Sequence, residues 1–271
     1  MTIDRLTQQN IGDLAFPCAL RKSRWIRHPQ LYRDKALAYL QTVLDRHIFG
    51  YIAVDGTNPV GQILVSPIRR AGVPVQSVRI NVLAVLCTWI DHKRSRQKIG
   101  CALIDAAADG FPDAAGLLVV DTHAPESLPV DVYHKLGFQP VSENVDRSIV
   151  YFPITESSVD VDFYTPKLEW DHVKPFTFIR RDVCPFMIQL SDTQRRVAGM
   201  FHDLLPTEEI PYEDARIRSD TVIPGFYVYG KRVPADITTA RPLKRYIRQA
   251  IRDESRKMFG TAARPHFEQN L

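Results

Sequence analysis

Apolar positions in the first part of the chain change from helical spacing to strand-like spacing. Residues 30–47 have the spacing of an amphipathic helix, and two β-rich runs follow. The DGTNP segment at residues 55–59 separates these runs and predicts a hairpin turn. The apolar, β-branched run at residues 80–90 predicts a buried central strand. The apolar residues of the predicted helix are Leu31, Leu37, Leu40, Val43 and Leu44.

Three further elements complete this half. A charged turn leads into a short helix that ends at Gly110, and the run GLLVVDTH at residues 116–123 predicts another buried strand. A short helix containing Tyr133, a stop at Gly137 and a final strand follow. The order β–α–β–β–β–α–β–α–β predicts an α/β fold, a mixed sheet flanked by helices.

The pattern lapses over residues 155–172, which are polar and without a clear period, so we predict a linker between domains at 1–154 and 173–271. The second domain begins with the strand FTFIRR and a helix of about five turns that opens at Cys184. A hairpin turning at Gly230-Lys231 and a C-terminal helix follow, which predicts a smaller α/β domain. The apolar face of that last helix is Leu243, Ile247, Ala250 and Ile251.

Composition narrows the classes of partner. The formal net charge of +4 over 271 residues suits an anionic small ligand and is too small for a nucleic-acid-binding protein. Basic segments do occur at 93–98 and 244–257, but Asp253 and Glu254 interrupt the second, as in an ordinary solvated helix face. No apolar run approaches ~20 residues, so we expect no membrane span. The oligomeric state is not predicted.

Cysteine usage and the N-terminus indicate the compartment. Four cysteines are widely spaced without a CxxC pair, which argues against a disulfide framework or a metal site. The first ten residues have no apolar segment of a signal peptide. We therefore expect a cytoplasmic protein. The cysteines are Cys18, Cys87, Cys101 and Cys184.

The turn between Ile90 and Gly100 is a candidate anion site. A buried strand ends there and a helix begins, so unpaired N–H groups and the positive helix end face the turn. Basic side chains add charge: Lys93, Arg94, Arg96 and Lys98. The alternative is a solvated basic turn with no ligand.

The segment CTWIDHKRSRQKIGCALIDAA at residues 87–107 resembles the acetyl-CoA segment of GNAT N-acyltransferases. The resemblance implies a thioester bonded by the backbone of Ile90. Ser95 stands where the family has Arg or Gln, and a register shifted to Gln97 restores that residue but spoils the helix alignment. The residues implied to contact acetyl-CoA here are Trp89, Ile90, Ser95, Arg96, Gln97, Lys98, Ile99 and Gly100.

The segment YHKLGF at residues 133–138 resembles the second CoA-contacting helix of the same family. Tyr133 would donate its phenolic proton to the departing thiolate, since tyrosine and thiol pKa values near 10 and 8.5 are close. Lys135 would contact the cofactor. The alternative is that Tyr133 only packs under the sheet. Candidate general bases are Asp121 and His123, with His92 or a water relay as alternatives.

Cys184 and Pro224 form a third constellation. The cysteine opens a helix directly after a strand, a position that favours the thiolate. With Ile223-Pro224 about forty residues later, the pair resembles the thioredoxin fold, in which the active-site cysteine faces a cis-proline. Met187 stands where a resolving cysteine would be. The favoured interpretation is therefore an interaction module with a remnant cysteine rather than a catalytic thiol.

Together the two halves resemble the YoaP-like GNATs, an acetyltransferase domain followed by a thioredoxin-like domain. The resemblance implies transfer of an acetyl group from acetyl-CoA to an amine of a small molecule or peptide. The alternative is a thiol-linked binding or redox protein whose GNAT domain senses acyl-CoA without catalysis.

Overall fold

The computed structural model divides the chain into two compact units. Unit 1 is Met1–Tyr164 together with Asp182–Phe186, and unit 2 is Thr165–Arg181 with Met187–Leu271. The structure describes residues 1–16, 26–77, 81–91, 93–94, 98–121, 128–144, 147–168, 173–201, 205–214, 217, 222–234 and 236–259.

Unit 1 is built on a seven-stranded sheet with the order β1-β2-β3-β5-β6-β8-β7. Every neighbouring pair is antiparallel except β5 and β6, which are parallel. Short strands β4 and β9 pair separately. The strands are β1 Thr2–Arg5, β2 Phe49–Asp55, β3 Asn58–Pro67, β4 Val75–Ser77, β5 Val82–Ile90, β6 Gly116–Asp121, β7 Gln139–Asn144, β8 Arg147–Pro153 and β9 Val161–Phe163.

Four α-helices belong to the described part of this unit: α1 Pro29–Val43, α2 Ile68–Ala71, α3 Ile99–Asp109 and α4 Val130–Lys135. Pro29 begins α1, where its missing N–H costs no intrahelical bond. Helix α3 ends before Gly110, as predicted. The mixed α/β fold with a sheet and flanking helices is thereby confirmed.

Two glycines set how closely α3 packs. A Cβ on Gly61 of β3 would lie 2.7 Å from Ile99 Cγ2, and one on Gly100 would lie 2.7 Å from Leu136 Cδ2. At contacts this short the neighbouring side-chain ends would have to move, so α3 packs closely against β3 and beside the end of α4. The beginning of α3 is therefore held close to the end of β5.

Three details differ from the sequence prediction. Leu31 of the first helix is 49% exposed, because the buried face of α1 runs through Tyr32, Ala36 and Leu40 instead. The single strand predicted after α4 is two strands, and β8 lies between β6 and β7. The segment 155–172 contains β9.

Unit 2 has a four-stranded sheet with the order β11-β10-β12-β13. The first two strands along the chain, β10 and β11, are parallel, and the other pairs are antiparallel. The chain therefore forms a β–α–β unit, then a hairpin, then a helix. The elements are β10 Phe176–Arg180, α5 Pro185–Gly199, β11 Thr207–Pro211, β12 Gly225–Val228, β13 Lys231–Arg232 and α6 Ala240–Phe259.

Both helices of unit 2 contribute to one aromatic core. Phe178 and Phe226 stack with ring centroids 4.3 Å apart, and Val197 and Leu243 bring in α5 and α6. The hairpin turns at Tyr229-Gly230, where φ is +48° and +74°, one residue earlier than predicted. Both turn residues are in the left-handed region, as in the type I′ turn that suits strand twist.

Candidate functional site

Strands β5 and β6 separate in the middle of the sheet. They pair in parallel over three residues only, Val82–Ala84 with Gly116–Leu118. Beyond these residues β5 continues against β3 and β6 continues against β8. We call the opening between Val85–Ile90 and Val119–Asp121 the wedge. Its two edges are strand backbones that have no strand between them.

A β-bulge redirects β5 as the wedge opens. The β3–β5 register passes from Val65–Val85 to Leu64–Cys87, so Leu86 is the extra residue. Bulges bend a strand and increase its twist, which accounts for the departure of β5 from β6. The separation of β5 from β6 therefore follows from the way β5 pairs with β3.

Backbone groups of β5 face the wedge. The Asp91 amide donates to the Val60 carbonyl over 2.8 Å. Hydrogen-bonded and non-bonded pairs alternate along an antiparallel ladder, so the register puts Thr88 and Ile90 at non-bonded positions. Their N–H and C=O groups consequently point away from β3 and into the wedge.

Tyr133 of α4 lies under this opening. Its side chain is buried, and burial raises the pKa of its phenol to about 12, an effect that the Thr88 hydroxyl opposes. Cys87 and Asp121 raise the pKa of Tyr133 further, because a negative charge on either would disfavour the phenolate. Tyr133 therefore stays protonated at neutral pH.

The hydroxyl of Thr88 is a buried polar atom that has no hydrogen-bond partner among the described residues. It opposes the rise in the pKa of Tyr133, so the two hydroxyl groups are neighbours. A buried hydroxyl without a partner costs about 1–3 kcal/mol. Such an atom beside an open strand edge indicates a position for a ligand group.

Asp121 ends β6 at the other edge of the wedge. It is 3% exposed, and it alternates along the strand with Val119, whose side chain packs in the core under α3 and α4. The carboxyl group of Asp121 thus shares the sheet face of Tyr133. Of the two predicted bases, Asp121 lies at the wedge, and His123 lies outside the described residues.

The opposite sheet face carries a second polar group. Gln62 of β3 is fully buried, donates from Nε2 to the Cys87 sulfur over 3.5 Å, and accepts from the Ala15 amide over 2.9 Å. Burial raises the pKa of the Cys87 thiol to about 11, and neighbouring Cys184 adds to the rise. Cys87 is therefore a thiol at neutral pH.

The turn after β5 leads directly into α3. Lys98 has a left-handed backbone, with φ at +53°, and α3 begins at Ile99. Lys93 and Lys98 are exposed, and a helix N-terminus favours anions. A Cβ on Gly100 would lie 2.7 Å from Leu136 Cδ2 and 2.8 Å from Ile90 Cδ1, so these side-chain ends would have to shift. The predicted ligands Ser95, Arg96 and Gln97 lie outside the described residues.

Arg94 forms an ion pair with another residue of unit 1. Its guanidinium bonds the Asp55 carboxylate on the β2–β3 hairpin, and this contact lowers the pKa of Asp55. The sequence grouped Arg94 with the basic side chains of the turn. The structure shows that its charge is neutralised by a neighbouring hairpin instead.

The remaining predicted contacts are spread over both sheet faces. Trp89 alternates with Ile90 along β5, so its indole lies on the face of Cys87. Ile90 packs against the core under α3. Lys135 is exposed in the last turn of α4. Of these residues, Ile90 reaches the wedge through its backbone.

The two residues of the thiol constellation are assigned to different units. Cys184 precedes α5 and belongs to the segment of unit 1, and Pro224 belongs to unit 2. The described chain contains no cis peptide bond, so the expectation of a cis bond before Pro224 is wrong. The Pro224 carbonyl accepts two hydrogen bonds from Arg232 at 3.3 Å.

The sequence pattern did not single out Thr88 and Gln62 as site residues. A signal for each was present, because both are polar residues within otherwise apolar strand runs. A buried polar side chain in such a run needs a partner, and its partner is a candidate for function.

Comparisons with known proteins leave the family open. No protein-family model and no curated protein matches this chain. Among the described residues, no helix is long and apolar enough to cross a membrane, and no group of three or more His, Cys, Asp or Glu could hold a metal ion.

Several solved acetyltransferase structures are similar to part of the chain. The ribosomal-protein-S18-alanine N-acetyltransferase from Escherichia coli is 14% identical, with a TM-score of 0.39, and covers 58% of this chain and 96% of its own. An aminoglycoside 6′-acetyltransferase type Ii is 18% identical, with a TM-score of 0.44, and the match covers 58% of this chain and 100% of the other. A PaiA N-acetyltransferase from Thermoplasma acidophilum in complex with coenzyme A is 14% identical, with a TM-score of 0.39, and the match covers 56% of this chain and 99% of the other. Similarity at this level does not establish membership of a family or a shared activity.

Proposed function

We propose that unit 1 is a GNAT-type N-acyltransferase, which moves an acetyl group from acetyl-CoA to an amine of a small molecule or peptide. The observation that carries this proposal is the wedge, with the Tyr133 phenol and the Thr88 hydroxyl beside it. It combines unpaired strand backbone, a buried proton donor and a buried hydroxyl. These are the groups that acyl transfer from a thioester requires.

The thioester would lie along β5 in the wedge. Its carbonyl oxygen would accept from the Ile90 amide, which points away from β3. Backbone N–H groups fixed by a strand stabilise the oxyanion that develops during attack, without reorganising. The amine nitrogen then forms a bond to the carbonyl carbon, and the carbon–sulfur bond breaks.

Two protons move in this reaction. The attacking amine loses one to Asp121, directly or through water, and the departing CoA sulfur gains one from Tyr133. The pKa of Tyr133 near 12 is about 3.5 units above that of a thiol in water, 8.5. The difference between the two pKa values is smaller in the wedge, because burial also raises the pKa of the departing thiol. Tyr133 consequently stabilises the thiolate first as a hydrogen-bond donor.

The phosphates of CoA would bind at the beginning of α3. Helix N-termini favour anions through their unpaired N–H groups and dipole, and Lys93 and Lys98 add exposed charge there. Arg94 is not assigned to the phosphates, because its guanidinium pairs with the Asp55 carboxylate. Lys135 at the end of α4 would contact the distal part of the cofactor.

For unit 2 we infer a thioredoxin-like domain that acts as an interaction module. We also propose that the protein is cytoplasmic. Its β–α–β unit with a cysteine just before the helix supports this inference. Met187 replaces a second cysteine, and Cys184 groups with unit 1. Dithiol chemistry within unit 2 is therefore not proposed.

The test separates transfer from binding. The full chain is incubated with acetyl-CoA and a panel of polyamines, aminoglycosides and peptides, and acetylated products are measured by mass spectrometry. Thermal melting with millimolar acetyl-CoA is recorded in parallel. At ligand concentrations about 100 times the dissociation constant, stabilisation should be about 2.7 kcal/mol. Absence of any shift in folded protein refutes the proposal, and a shift without product from any amine supports an acyl-CoA sensor instead.

A further inference from the structure

Helix α6 concentrates the positive charge of the chain. Its residues Ala240–Phe259 include five arginines and two lysines against two acidic residues, a net charge of +5. The whole chain has a formal net charge of only +4, so the rest of the chain is slightly acidic. The modest charge of the whole chain therefore does not describe this helix.

The five arginines of α6 lie on one side of the helix. Consecutive members are three or four residues apart, and at 3.6 residues per turn this spacing keeps them within an arc of about 80°. All five are exposed, and they extend over about 22 Å at 1.5 Å per residue. We call this set the arginine row: Arg241, Arg245, Arg248, Arg252 and Arg256.

The acidic residues of α6 lie outside the arginine row. Asp253 is about 100° further round the helix than Arg252, which is at the centre of the row, and Glu254 is about 200° further round. Glu254 pairs with Lys257 over 2.8 Å, and Asp253 lies 4.0 Å from the Arg256 guanidinium. In the sequence these two acids interrupt the basic segment, but the helix turns them away from its most basic side.

The opposite side of α6 is buried in unit 2. Leu243, Ile247 and Ile251 belong to the same core cluster as Phe226 and Val228 of β12. This packing fixes the rotation of the helix, so the arginine row faces solvent. Because the core occupies the apolar face of α6, that face cannot insert into a membrane surface as an interfacial amphipathic helix requires.

The arginine row is unfavourable for the helix unless an anion neutralises it. Like charges three or four residues apart destabilise a helix, and the row contains four such pairs in succession. Arginine binds a phosphate through two parallel N–H groups, which lysine cannot do. Successive guanidinium groups are about 4.5–6 Å apart along the helix axis. A matching partner must therefore present several phosphates in a regular line, as the backbone of a nucleic acid does.

We propose that the arginine row is a docking surface for the phosphate backbone of a nucleic acid. Each guanidinium contacts a phosphate, and binding releases the counterions that the nucleic acid had condensed. Contacts to phosphates set position and orientation but carry no information about base sequence, so binding is independent of sequence. This surface belongs to unit 2, and it goes beyond the acyl transfer proposed for unit 1.

The experiment titrates the full chain into two fluorescently labelled probes of mixed sequence, a DNA duplex and a single-stranded RNA. Anisotropy is followed between about 50 and 200 mM salt. With five phosphate contacts, the logarithm of the association constant should fall against the logarithm of salt concentration with a slope of about −4.5 for the duplex and about −3.5 for the RNA. The duplex should therefore bind roughly 500-fold more weakly at the higher salt concentration. Binding of either probe supports the proposal, and the tighter probe identifies the kind of nucleic acid.

A triple variant removes the middle of the row: Arg245→Gln, Arg248→Gln and Arg252→Gln. It should reduce the steepness of the duplex slope by about 2.7 and weaken binding at least about tenfold at low salt. The matched control removes three exposed arginines elsewhere, so the net charge changes equally, and it should bind as the wild type does. The control carries Arg69→Gln, Arg70→Gln and Arg196→Gln.

Three results would overturn the proposal: no anisotropy change with either probe at about 50 mM salt, affinity that does not vary with salt, or equal weakening in the two triple variants. Cosedimentation with phosphatidylserine vesicles that requires the row, without binding of either probe, would also overturn it. Glutamine is a good helix former, and thermal melting checks that each variant folds. If the row variant does not fold, Arg248→Gln replaces it, with a slope change of about 0.9. No step needs acetyl-CoA, so failure of acyl transfer leaves this test intact.

Discussion

The hydroxyl groups of Tyr133 on α4 and Thr88 on β5 are neighbours at the point where β5 leaves β6. The Thr88 hydroxyl has no hydrogen-bond partner among the described residues. The Thr88 hydroxyl is therefore a buried polar group that a ligand in the wedge could satisfy.

Replacing Tyr133 by Phe tests the proton donor. Turnover should fall about 10²–10⁴-fold, because the departing thiolate loses its hydrogen-bond donor, and acetyl-CoA affinity should change little. Product formation and calorimetric binding are measured separately. Tyr227→Phe is the matched control, since Tyr227 is a similarly buried tyrosine of unit 2. Equal turnover of Tyr133→Phe and wild type, with chemistry limiting, would remove Tyr133 from the mechanism.

Thr88→Val should affect the unliganded and liganded protein in opposite ways. Removing a buried hydroxyl that has no partner should leave the unfolding free energy unchanged or raise it by about 1 kcal/mol. Stabilisation by acetyl-CoA should shrink if that hydroxyl bonds the ligand. Thermal melting with and without acetyl-CoA measures both effects.

Thr177→Val provides the contrast. Thr177 is also fully buried, but its hydroxyl donates to the Lys174 carbonyl over 3.0 Å. This variant should lose about 1 kcal/mol with or without ligand, because an existing hydrogen bond is removed. If Thr88→Val behaves in the same way, the Thr88 hydroxyl is structural and not a ligand contact.

Stability should fall in alkaline solution. Burial raises the pKa of Tyr133 and of Tyr227 to about 12, against about 10 in an unfolded chain. The folded state therefore holds these protons more tightly, and the contribution is complete below pH 10 and lost as pH rises toward 12. Each group contributes roughly 2–3 kcal/mol by this linkage.

Urea unfolding at pH 8, 10 and 11 measures this dependence. Tyr133→Phe and Tyr227→Phe should each flatten the decline above pH 10, because each removes one titrating phenol. If stability declines as steeply in both variants as in the wild type, neither phenol is responsible for the decline.

Gly100→Ala tests the close packing of α3. The new methyl group would lie 2.7 Å from Leu136 Cδ2 and 2.8 Å from Ile90 Cδ1, so these side chains must shift. We expect a loss of about 1–3 kcal/mol in unfolding free energy. Gly199→Ala at the end of α5 meets nothing within 4 Å and should be neutral or stabilising by up to about 1 kcal/mol. Equal stability of the two variants would mean that α3 can retreat from Leu136.

The pattern along the chain was sufficient for most elements. Strand β5 follows from its apolar β-branched run, and the end of α3 follows from Gly110. The three buried residues Leu243, Ile247 and Ile251 of α6 follow from helical spacing. These features depend on neighbours within a few residues, where backbone sterics and burial of one face decide the outcome.

The site itself depended on contacts between distant residues. The bulge at Leu86 arises from pairing with β3, and the wedge arises because β5 and β6 then find different partners. The insertion of β8 beside β6 was equally invisible, since strand order depends on which edges meet. Local periodicity contains no information about register between separated strands.

Charge and thiol chemistry show the same division. The sequence alone determined that basic residues follow β5 and that Cys184 opens a helix. Only the tertiary structure decided that Asp55 takes up the charge of Arg94, and that burial raises the pKa of the Cys87 thiol to about 11. The reason is physical: the state of a charge or a thiol depends on burial and on groups a few ångströms away, and chain folding brings those groups from far along the sequence.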